Sequence, residues 1–554
     1  MKTISVNVLC KILFLMILAL TSCETKDFLK EEPMDFLSSE NALTSKEGFE
    51  NYIVALHFAA RDELVRQDFI TFLNLQQAGT DISCSGDLSR NIYADWTAYI
   101  TPGNTGIRDY WDWAYLLMLD ISNTVIVYAD KPELSNIWKS ESEKNAIIAE
   151  ARFFRAYTHN FLANYFGGVP IMDTIYSKPK NDFVRNTRKE VYESAKNDLV
   201  YASKWLPATV PSNKEGRIVK AAADHLLSEV YISLGEYDKA IESASAVINS
   251  GLYKLITKRF GSEIDKPGDY YSDIFRTGNQ NPKSGNTETI YVWQFEDFTP
   301  GGGGSTLAGN ISLRAWAPWY WNANFKDPDG KAGMVVCDSL GRPVGAVRPT
   351  TYFCYNLWKD NWNDIRNSKY NIRRTYYFNN PASAWYGKPV LKEYLKTLQD
   401  TLTIIYPCIR KVEGKISWMA NANATYRAYT SSDFIVYRLA ETYLLRAEAY
   451  MNKGELQKAA DDINVIRTRA NAKPVFSGNV NLDYILDERA RELITEEPRF
   501  RTLVRTGKLV ERVRKYNMRE DTRNSIKDYH KFWPIPQDAI DANFGAVIDQ
   551  NPGY

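Results

Sequence analysis

The sequence contains one helix–turn–helix pattern twice, as YISLGEYDKAIESA from Tyr231 to Ala244 and as YMNKGELQKAADDI from Tyr450 to Ile463. In both copies a glycine follows the tyrosine by four residues, at Gly235 and Gly454, and an alanine follows that glycine by five residues. Glycine ends helices because it adopts a left-handed backbone without strain, and alanine lets two helices pack closely. The pattern therefore predicts two helix pairs at distant places in the chain.

Other segments supply further amphipathic helices, because their apolar residues recur at spacings of three and four. Three such stripes are Phe49, Ile53, Leu56, Ala60; Trp113, Leu117, Ile121, Thr124, Tyr128; and Tyr192, Ala195, Leu199, Ala202, Leu206. Stacked helix pairs of this layout match tetratricopeptide repeats, which bury a continuous core between neighbours. We predict a mainly α fold, a tetratricopeptide-like scaffold of about four helix pairs.

The middle of the chain has a different character. Between residues 254 and 426, Gly, Pro, Asn and aromatic residues interrupt every helical period, and Thr289–Phe295 predicts a short strand. A long irregular segment this aromatic is not typical of disorder, and loops on a rigid scaffold often carry binding residues. We therefore divide the chain into a helical part (41–253), a large loop-rich binding region with minor β structure (254–426), and C-terminal helices with a tail (427–554).

The first residues indicate secretion. Ile12–Leu20 is an uninterrupted apolar run of nine residues, which would form about 14 Å of helix and cannot cross a hydrocarbon core of roughly 30 Å. We read residues 1–22 as a signal peptide. The Leu20–Cys23 text, LTSC, resembles a bacterial lipobox, which implies that Cys23 is lipidated and that residues 23–40 form a tether. The alternative is an ordinary signal peptide followed by a chance cysteine.

Composition excludes some classes of function. The chain has 68 Lys and Arg against 67 Asp and Glu, so its charge gives no reason to expect nucleic acid or an anionic membrane surface as partner. No two of Cys84, Cys337, Cys354 and Cys408 have C-x-x-C spacing, which argues against a zinc knuckle or a dithiol redox site. Disulfides between them stay open at this point.

The densest aromatic cluster is WAPWYW, at Trp316–Trp321. Its aromatic members are Trp316, Trp319, Tyr320 and Trp321. Successive side chains diverge in any regular conformation, so they cannot all enter one core. Trp and Tyr offer an apolar face with a polar group, which suits stacking against a sugar ring. We predict that the cluster forms a ligand platform; the alternative is that its rings pack beneath the loops.

The last residues, FWPIPQDAIDANFGAVIDQNPGY, predict a docked, extended tail that cannot be one helix, because prolines interrupt it. Its apolar residues should lie along the core: Phe532, Trp533, Ile535, Ile540, Val547, Ile548 and Tyr554.

This tail resembles the end of SusD-like (RagB/SusD) nutrient-binding lipoproteins in the texts PIPQ (Pro534–Gln537), IDAN (Ile540–Asn543) and QNPGY (Gln550–Tyr554). Further resemblance lies in AEARFFRAY (Ala149–Tyr157), LRAEAY (Leu445–Tyr450) and LDERAREL (Leu486–Leu493), so it covers essentially the whole mature chain.

The resemblance implies capture of a glycan or other nutrient at the cell surface and its delivery to a TonB-dependent, SusC-like transporter. It implies a lipid-anchored protein on the outer membrane, facing outward, with no cofactor. It also implies that an early loop works with the central aromatics; here residues 81–105 supply Asp81, Arg90 and Trp96 as candidate ligand contacts. For Asp81 and Arg90 the alternative is a solvated loop charge.

Catalytic and metal motifs are missing from the sequence. There is no H-E-x-x-H, G-x-S-x-G or phosphate-binding loop, and His159 and His225 are predicted to be buried structural residues. Asp327–Gly330 predicts a turn, since the later ligands of a calcium loop do not follow. We predict that the protein is not an enzyme, and we assign no metal ligands; whether a calcium ion binds stays open at this point. The alternatives are a surface glycoside hydrolase, which needs only two carboxylates, and a structural or host-interaction lipoprotein.

Overall fold

The computed structural model describes residues 39–65, 70–86, 93–299, 301–302, 309–322, 324–416 and 429–554. Before the loop-rich region, the helices are α1 Ser39–Ala42, α2 Lys46–Ala60, α3 Ile70–Gln77, α4 Trp96–Tyr99, α5 Thr105–Asp112, α6 Asp120–Ala129, α7 Glu141–Tyr165, α8 Arg188–Trp205, α9 Lys220–Leu234 and α10 Tyr237–Ile248. Within this region lie α11 Tyr270–Asp273, α12 Ser312–Trp316 and α13 Thr351–Cys354. After it come α14 Leu439–Asn452, α15 Leu456–Arg469, α16 Leu482–Leu493, α17 Arg499–Arg505, α18 Leu509–Tyr516, α19 Glu520–Ser525 and α20 Gln537–Ala542.

Four helix pairs form the scaffold of the described residues: α2 packs on α6, α7 on α8, α9 on α10, and α14 on α15. Successive pairs also touch, through α6 and α7, α8 and α9, and α10 and α14, so the pairs stack in one series. The prediction of a mainly α, tetratricopeptide-like scaffold is confirmed. In the part of the chain that is described, no helix is both long and apolar enough to cross a membrane.

The repeated glycines make the same turn in both copies. Gly235 has φ 76° and Gly454 has φ 79°, which is the left-handed region. In each turn the glutamate after the glycine donates a backbone hydrogen bond of 2.9 Å to the tyrosine carbonyl five residues earlier. This hydrogen bond satisfies a carbonyl that the ending helix leaves without a partner. The turn therefore reverses the chain and lets the second helix pack on the first.

Side-chain caps fix where two of the scaffold helices begin. Ser140 precedes α7 and its hydroxyl accepts a hydrogen bond from the Glu143 amide. Thr187 precedes α8 and forms a reciprocal capping box with Glu190. Such caps satisfy amides that have no partner inside the first turn.

The strands lie mostly in the loop-rich region: β1 Ser83–Ser85, β2 Thr289–Trp293, β3 Val347–Pro349, β4 Ile372–Arg373, β5 Cys408–Ile409 and β6 Phe434–Arg438. They form antiparallel pairs β1–β3, β2–β6 and β4–β5. The strand predicted at Thr289–Phe295 is confirmed as β2, whose residues are all buried. The described cysteines Cys84, Cys337, Cys354 and Cys408 are free thiols.

A buried ion network fastens the loop-rich region to the C-terminal helices. Arg366, from the loops, donates to Glu488 and Glu492 of α16 at 2.8 and 2.9 Å. Arg438 at the end of β6 and Arg469 at the end of α15 bind the same Glu492. Buried charges are tolerated only when they are paired and hydrogen-bonded. The network therefore holds the loops in one place on the helical scaffold.

The C-terminal tail docks on the scaffold, with two differences from the prediction. Trp533 and Ile535 are fully buried, and the Trp533 amide donates to the Tyr165 carbonyl at 2.6 Å. However, Gln537–Ala542 is helical, because Pro536 stands just before it, where a proline interferes with no helical hydrogen bond. Val547 is 80% exposed, so the prediction that it packs against the core is wrong.

Candidate functional site

The early loop and the central aromatic segment meet beside the β1–β3 sheet. Just after β1, the Gly86 amide donates to the Ala346 carbonyl at 3.2 Å, and the Gly86 carbonyl accepts a hydrogen bond from the Thr403 hydroxyl. The Thr403 carbonyl in turn accepts a hydrogen bond of 2.8 Å from the Trp319 amide. Parts of the chain that are distant in sequence therefore converge next to Trp319.

Two of the four predicted platform aromatics belong to the core. Trp316 and Tyr320 are each 1% exposed. The Trp316 carbonyl accepts a hydrogen bond of 3.0 Å from the Tyr406 hydroxyl, and the Tyr320 hydroxyl donates to the Gly341 carbonyl. The prediction that these two side chains contact ligand is wrong, because α12 and the 341 turn enclose them.

Trp319 and Trp321 are partly exposed, and we call this pair the indole platform. Their ring centroids are 5.6 Å apart and their planes meet at 61°. The Trp321 indole N–H donates to the Pro343 carbonyl at 2.7 Å, and the Arg342 guanidinium lies 4.5 Å from the Trp321 ring centre. These contacts fix the Trp321 ring, so the platform is held in shape before any ligand arrives.

Arg342 is the part of this geometry that the sequence analysis missed. Its neighbours Gly341 and Pro343 mark only a turn, and no motif connects that turn to Trp321. A guanidinium stacked on an indole can offer hydrogen-bond donors at the edge of the ring.

Asp81 is not available to a ligand. Its carboxylate is fully buried between Arg499 and Arg512, with N–O distances of 2.7 and 2.6 Å. Burial by itself raises the pKa of Asp81, but the two arginines outweigh burial and hold this pKa well below its usual range. The prediction that Asp81 contacts ligand is wrong; it joins the early loop to α17 and α18.

The structure also contradicts the predicted role of Trp96. It is 0% exposed and begins the one-turn helix α4, with its ring centre 4.4 Å from that of Tyr93, 6.2 Å from Phe500 and 5.2 Å from His530. Its polar sequence neighbours point away from this aromatic core, so the prediction that Trp96 stacks on ligand is wrong. Arg90 and the proposed lipidation residue Cys23 lie outside the described residues.

The histidines and the acidic turn singled out in the sequence are structural features. His159 and His225 are buried, as predicted, and burial lowers the pKa of His159 to about 3. The Asp327 carboxylate accepts hydrogen bonds from the Asp329 and Lys331 amides, which is the predicted turn. Within the described ranges no group of His, Cys, Asp and Glu has the arrangement of a metal site.

Comparison with known proteins identifies the family. Residues 350–554 match the model of the SusD family, and residues 27–232 match a second model described as starch-binding associating with outer membrane. The chain is also 27% identical over 438 residues to the starch-binding protein SusD of Bacteroides thetaiotaomicron, covering 73% of this chain and 72% of that protein. The chain belongs to the SusD-like family.

Solved structures show that the SusD-like fold extends over nearly the whole chain. A SusD homolog from Bacteroides thetaiotaomicron matches with a TM-score of 0.69 and 19% identity, covering 93% of this chain and 98% of that one. A laminarin-binding SusD-like protein matches with a TM-score of 0.67 and 21% identity, covering 92% and 100%. At these identities the likeness concerns the fold.

Proposed function

We propose that this protein is a cell-surface lipoprotein that captures an oligosaccharide on the indole platform and delivers it to a TonB-dependent, SusC-like transporter. The observation that carries the proposal is the pair of partly exposed indoles, Trp319 and Trp321, placed where the early loop meets the loop-rich region. Relatives whose names record starch or laminarin binding support a glycan as the ligand class.

The platform has the chemistry that a sugar needs. One face of a sugar ring carries C–H groups that pack on an indole, and removing this apolar surface from water contributes favourable free energy. The Arg342 guanidinium beside Trp321 can donate to ring hydroxyls. Because the Trp321 ring is held by Pro343 and Arg342, it loses little conformational entropy when a ligand binds.

We assign no bond-breaking step to this site. Glycoside hydrolysis needs two carboxyl groups on either side of the scissile bond. The platform instead offers indole rings and a guanidinium, and a guanidinium stays protonated at physiological pH, so it does not act as a general acid or base. Binding without turnover is therefore the role that these groups support.

Anchoring and delivery are the finer parts of the proposal. Lipidation at Cys23 would hold the protein on the outer face of the outer membrane, and the tether 23–40 would let it reach the transporter. One of the matching family models is described as associating with outer membrane, which supports this location.

The test is a panel of oligosaccharides incubated with the purified full chain, with binding measured by calorimetry and products by liquid chromatography. We expect at least one glycan to bind and to be recovered intact. Shortened products would support the glycoside hydrolase alternative. Binding to host protein that free glycan cannot compete would support the host-interaction alternative.

A further inference from the structure

A cleft in the loop-rich region is lined by residues that do not belong to the indole platform. It is a cleft of about 1260 Å³ between the 362–377 segment and the end of α15. Two aromatic residues of its wall are largely exposed, Trp362 at 51% and Tyr377 at 58%. Neither Trp319 nor Trp321 lines it, so the cleft is separate from the platform.

Arg374 contacts the Trp362 ring and holds it in place. The Arg374 guanidinium carbon lies 4.9 Å from the Trp362 ring centre and 5.8 Å from that of Tyr355. Arg374 Nη2 donates to the Cys354 carbonyl at 2.8 Å and to Asn367 Oδ1 at 2.6 Å. Asn367 completes the arrangement by donating from Nδ2 to the Trp362 carbonyl at 2.8 Å. An exposed indole that is fixed in this way is pre-organised for stacking.

The cleft has an excess of positive charge. Its wall carries four cationic residues and two carboxylates: Lys369, Arg373, Arg374 and Arg410, with Asp269 and Asp364. Asp364 is already neutralised, since Arg366 binds it at 2.6 Å from behind the wall. Arg373 and Arg410 share the single carboxylate of Glu413.

Two of these cations have no acidic partner within the described ranges. The Arg374 hydrogen bonds go to carbonyl and amide oxygens, and Lys369 lies over the Tyr370 ring at 5.3 Å. Burial lowers the pKa of Arg374, as expected for a partly desolvated cation that no carboxylate compensates. A ligand anion would supply the missing charge, and guanidinium groups bind carboxylate and sulfate oxygens strongly.

We propose that this cleft binds an acidic oligosaccharide, one that carries carboxylate or sulfate groups, with a sugar ring stacked on Trp362 and an anionic group near Arg374 and Lys369. Exposed amide and hydroxyl side chains in the wall are available to the sugar hydroxyls: Asn363, Thr375, Thr468 and Asn471. The inference adds a second site to the proposed function and does not require the indole platform to bind.

A saccharide fits the cleft better than an acidic peptide. Peptides commonly bind by adding a strand to an exposed sheet edge. The strand in this wall, β4, is two residues long and already pairs with β5, so it offers little edge. The fixed indole and the scattered hydroxyl and amide groups instead match a ligand with ring faces and many hydroxyls.

The test is calorimetry on the full chain with acidic oligosaccharides built on different rings, namely galacturonate, alginate and sulfated galactan fragments. The controls are methyl-esterified oligogalacturonate and a glutamate-rich peptide. We expect at least one acidic glycan to bind, and its affinity to fall at least tenfold between 50 mM and 500 mM salt, because charge contributes to binding. The carboxylated and sulfated arms then distinguish which anion is preferred.

Two variants test whether the ligand binds in the cleft. Trp362→Ala should weaken binding at least tenfold, whereas Phe476→Ala, which removes another strongly exposed aromatic, should leave it unchanged. Lys369→Gln should weaken acidic ligands several-fold, with Lys258→Gln, on another loop, as the matched control.

Several results would overturn the proposal. They are binding of no acidic glycan, equal affinity for the methyl ester, binding of the peptide alone, or wild-type affinity in Trp362→Ala. Loss of acidic-glycan binding in a Trp319→Ala/Trp321→Ala variant but not in Trp362→Ala would place the ligand on the indole platform. That outcome would uphold the proposed function and reject this second site.

Discussion

At the scale of single residues, polar sequence neighbours do not determine whether an aromatic side chain is exposed. Trp96 stands between Asp95 and Thr97 and is fully buried, whereas Trp362 stands between Asn361 and Asn363 and is half exposed. The difference comes from partners far along the chain: Phe500 and His530 cover Trp96. A local sequence window does not contain that information, so the sequence cannot identify which aromatic side chains are exposed.

Asp81→Asn tests the corrected role of Asp81. The change would leave the buried Arg499 and Arg512 guanidinium groups without their shared carboxylate, so we expect the free energy of unfolding to fall by roughly 3–5 kcal/mol. Urea denaturation measures it, with the exposed Asp541→Asn as control. If the variant is as stable as the wild type but binds glycan more weakly, Asp81 is a ligand contact and the structural role is wrong.

At the scale of secondary-structure elements, the sequence predicted the features that depend on the spacing of nearby residues. The helix pairs followed from apolar spacing and from a glycine that both turns need in a left-handed conformation. The LDERAREL text of α16 now has a physical role as well. Its Glu488, Arg489 and Glu492 are buried in ion pairs with other elements, which is why so polar a segment lies inside the protein.

Gly235→Val tests the repeat turn. A β-branched residue at φ 76° is strained although no atom lies within 4 Å of the added Cβ, so we expect a loss of about 1–2 kcal/mol in the free energy of unfolding. Gly478→Val is the matched control, because that glycine has an ordinary φ and equally open space. Equal melting temperatures for the two variants would contradict the proposed role of the turn.

At the scale of the whole molecule, the site depends on contacts that no local pattern encodes. Gly86, Trp319 and Thr403 come together across more than three hundred residues of chain, through the Thr403 hydroxyl bonded to the Gly86 carbonyl and the Trp319 amide bonded to the Thr403 carbonyl. The sequence analysis anticipated that an early loop would meet the central aromatics only through family resemblance. It did not identify Arg342 or the Trp362 cleft, because both depend on how loops fold over the scaffold.

The buried ion network predicts acid sensitivity. Burial raises the pKa of Glu488, but Arg366, Arg491 and Arg467 outweigh burial and lower this pKa to about 2. The unfolded glutamate titrates near 4.3, so between these values the unfolded chain binds more protons than the folded one. The stabilisation is therefore complete above about pH 4.5 and is lost as the pH falls toward 2.

Denaturation at a series of pH values measures this effect. Glu488→Gln should flatten the decline in stability between pH 4.5 and pH 2, while Glu47→Gln, on the exposed side of α2, should keep the wild-type slope. Identical slopes in the two variants would show that Glu488 does not contribute to acid unfolding.

Cys23→Ala tests the proposed anchor. Multiple acyl chains hold a protein on a membrane, whereas a protein without them dissociates, so we expect the variant to move from the outer-membrane fraction to the soluble fraction. Fractionation in high salt measures this, with Cys10→Ala, within the signal peptide, as control. A variant that still sediments with outer membranes would contradict lipid anchoring as the means of attachment.

The most direct test of the central claim, that the indole platform captures glycan, is calorimetry on a Trp319→Ala/Trp321→Ala variant with a neutral glycan that the wild type binds. We predict at least a hundredfold loss of affinity with unchanged helical circular dichroism, because both stacking faces are removed. Trp362→Ala should bind this neutral glycan like the wild type. Wild-type affinity in the folded double variant would contradict the claim.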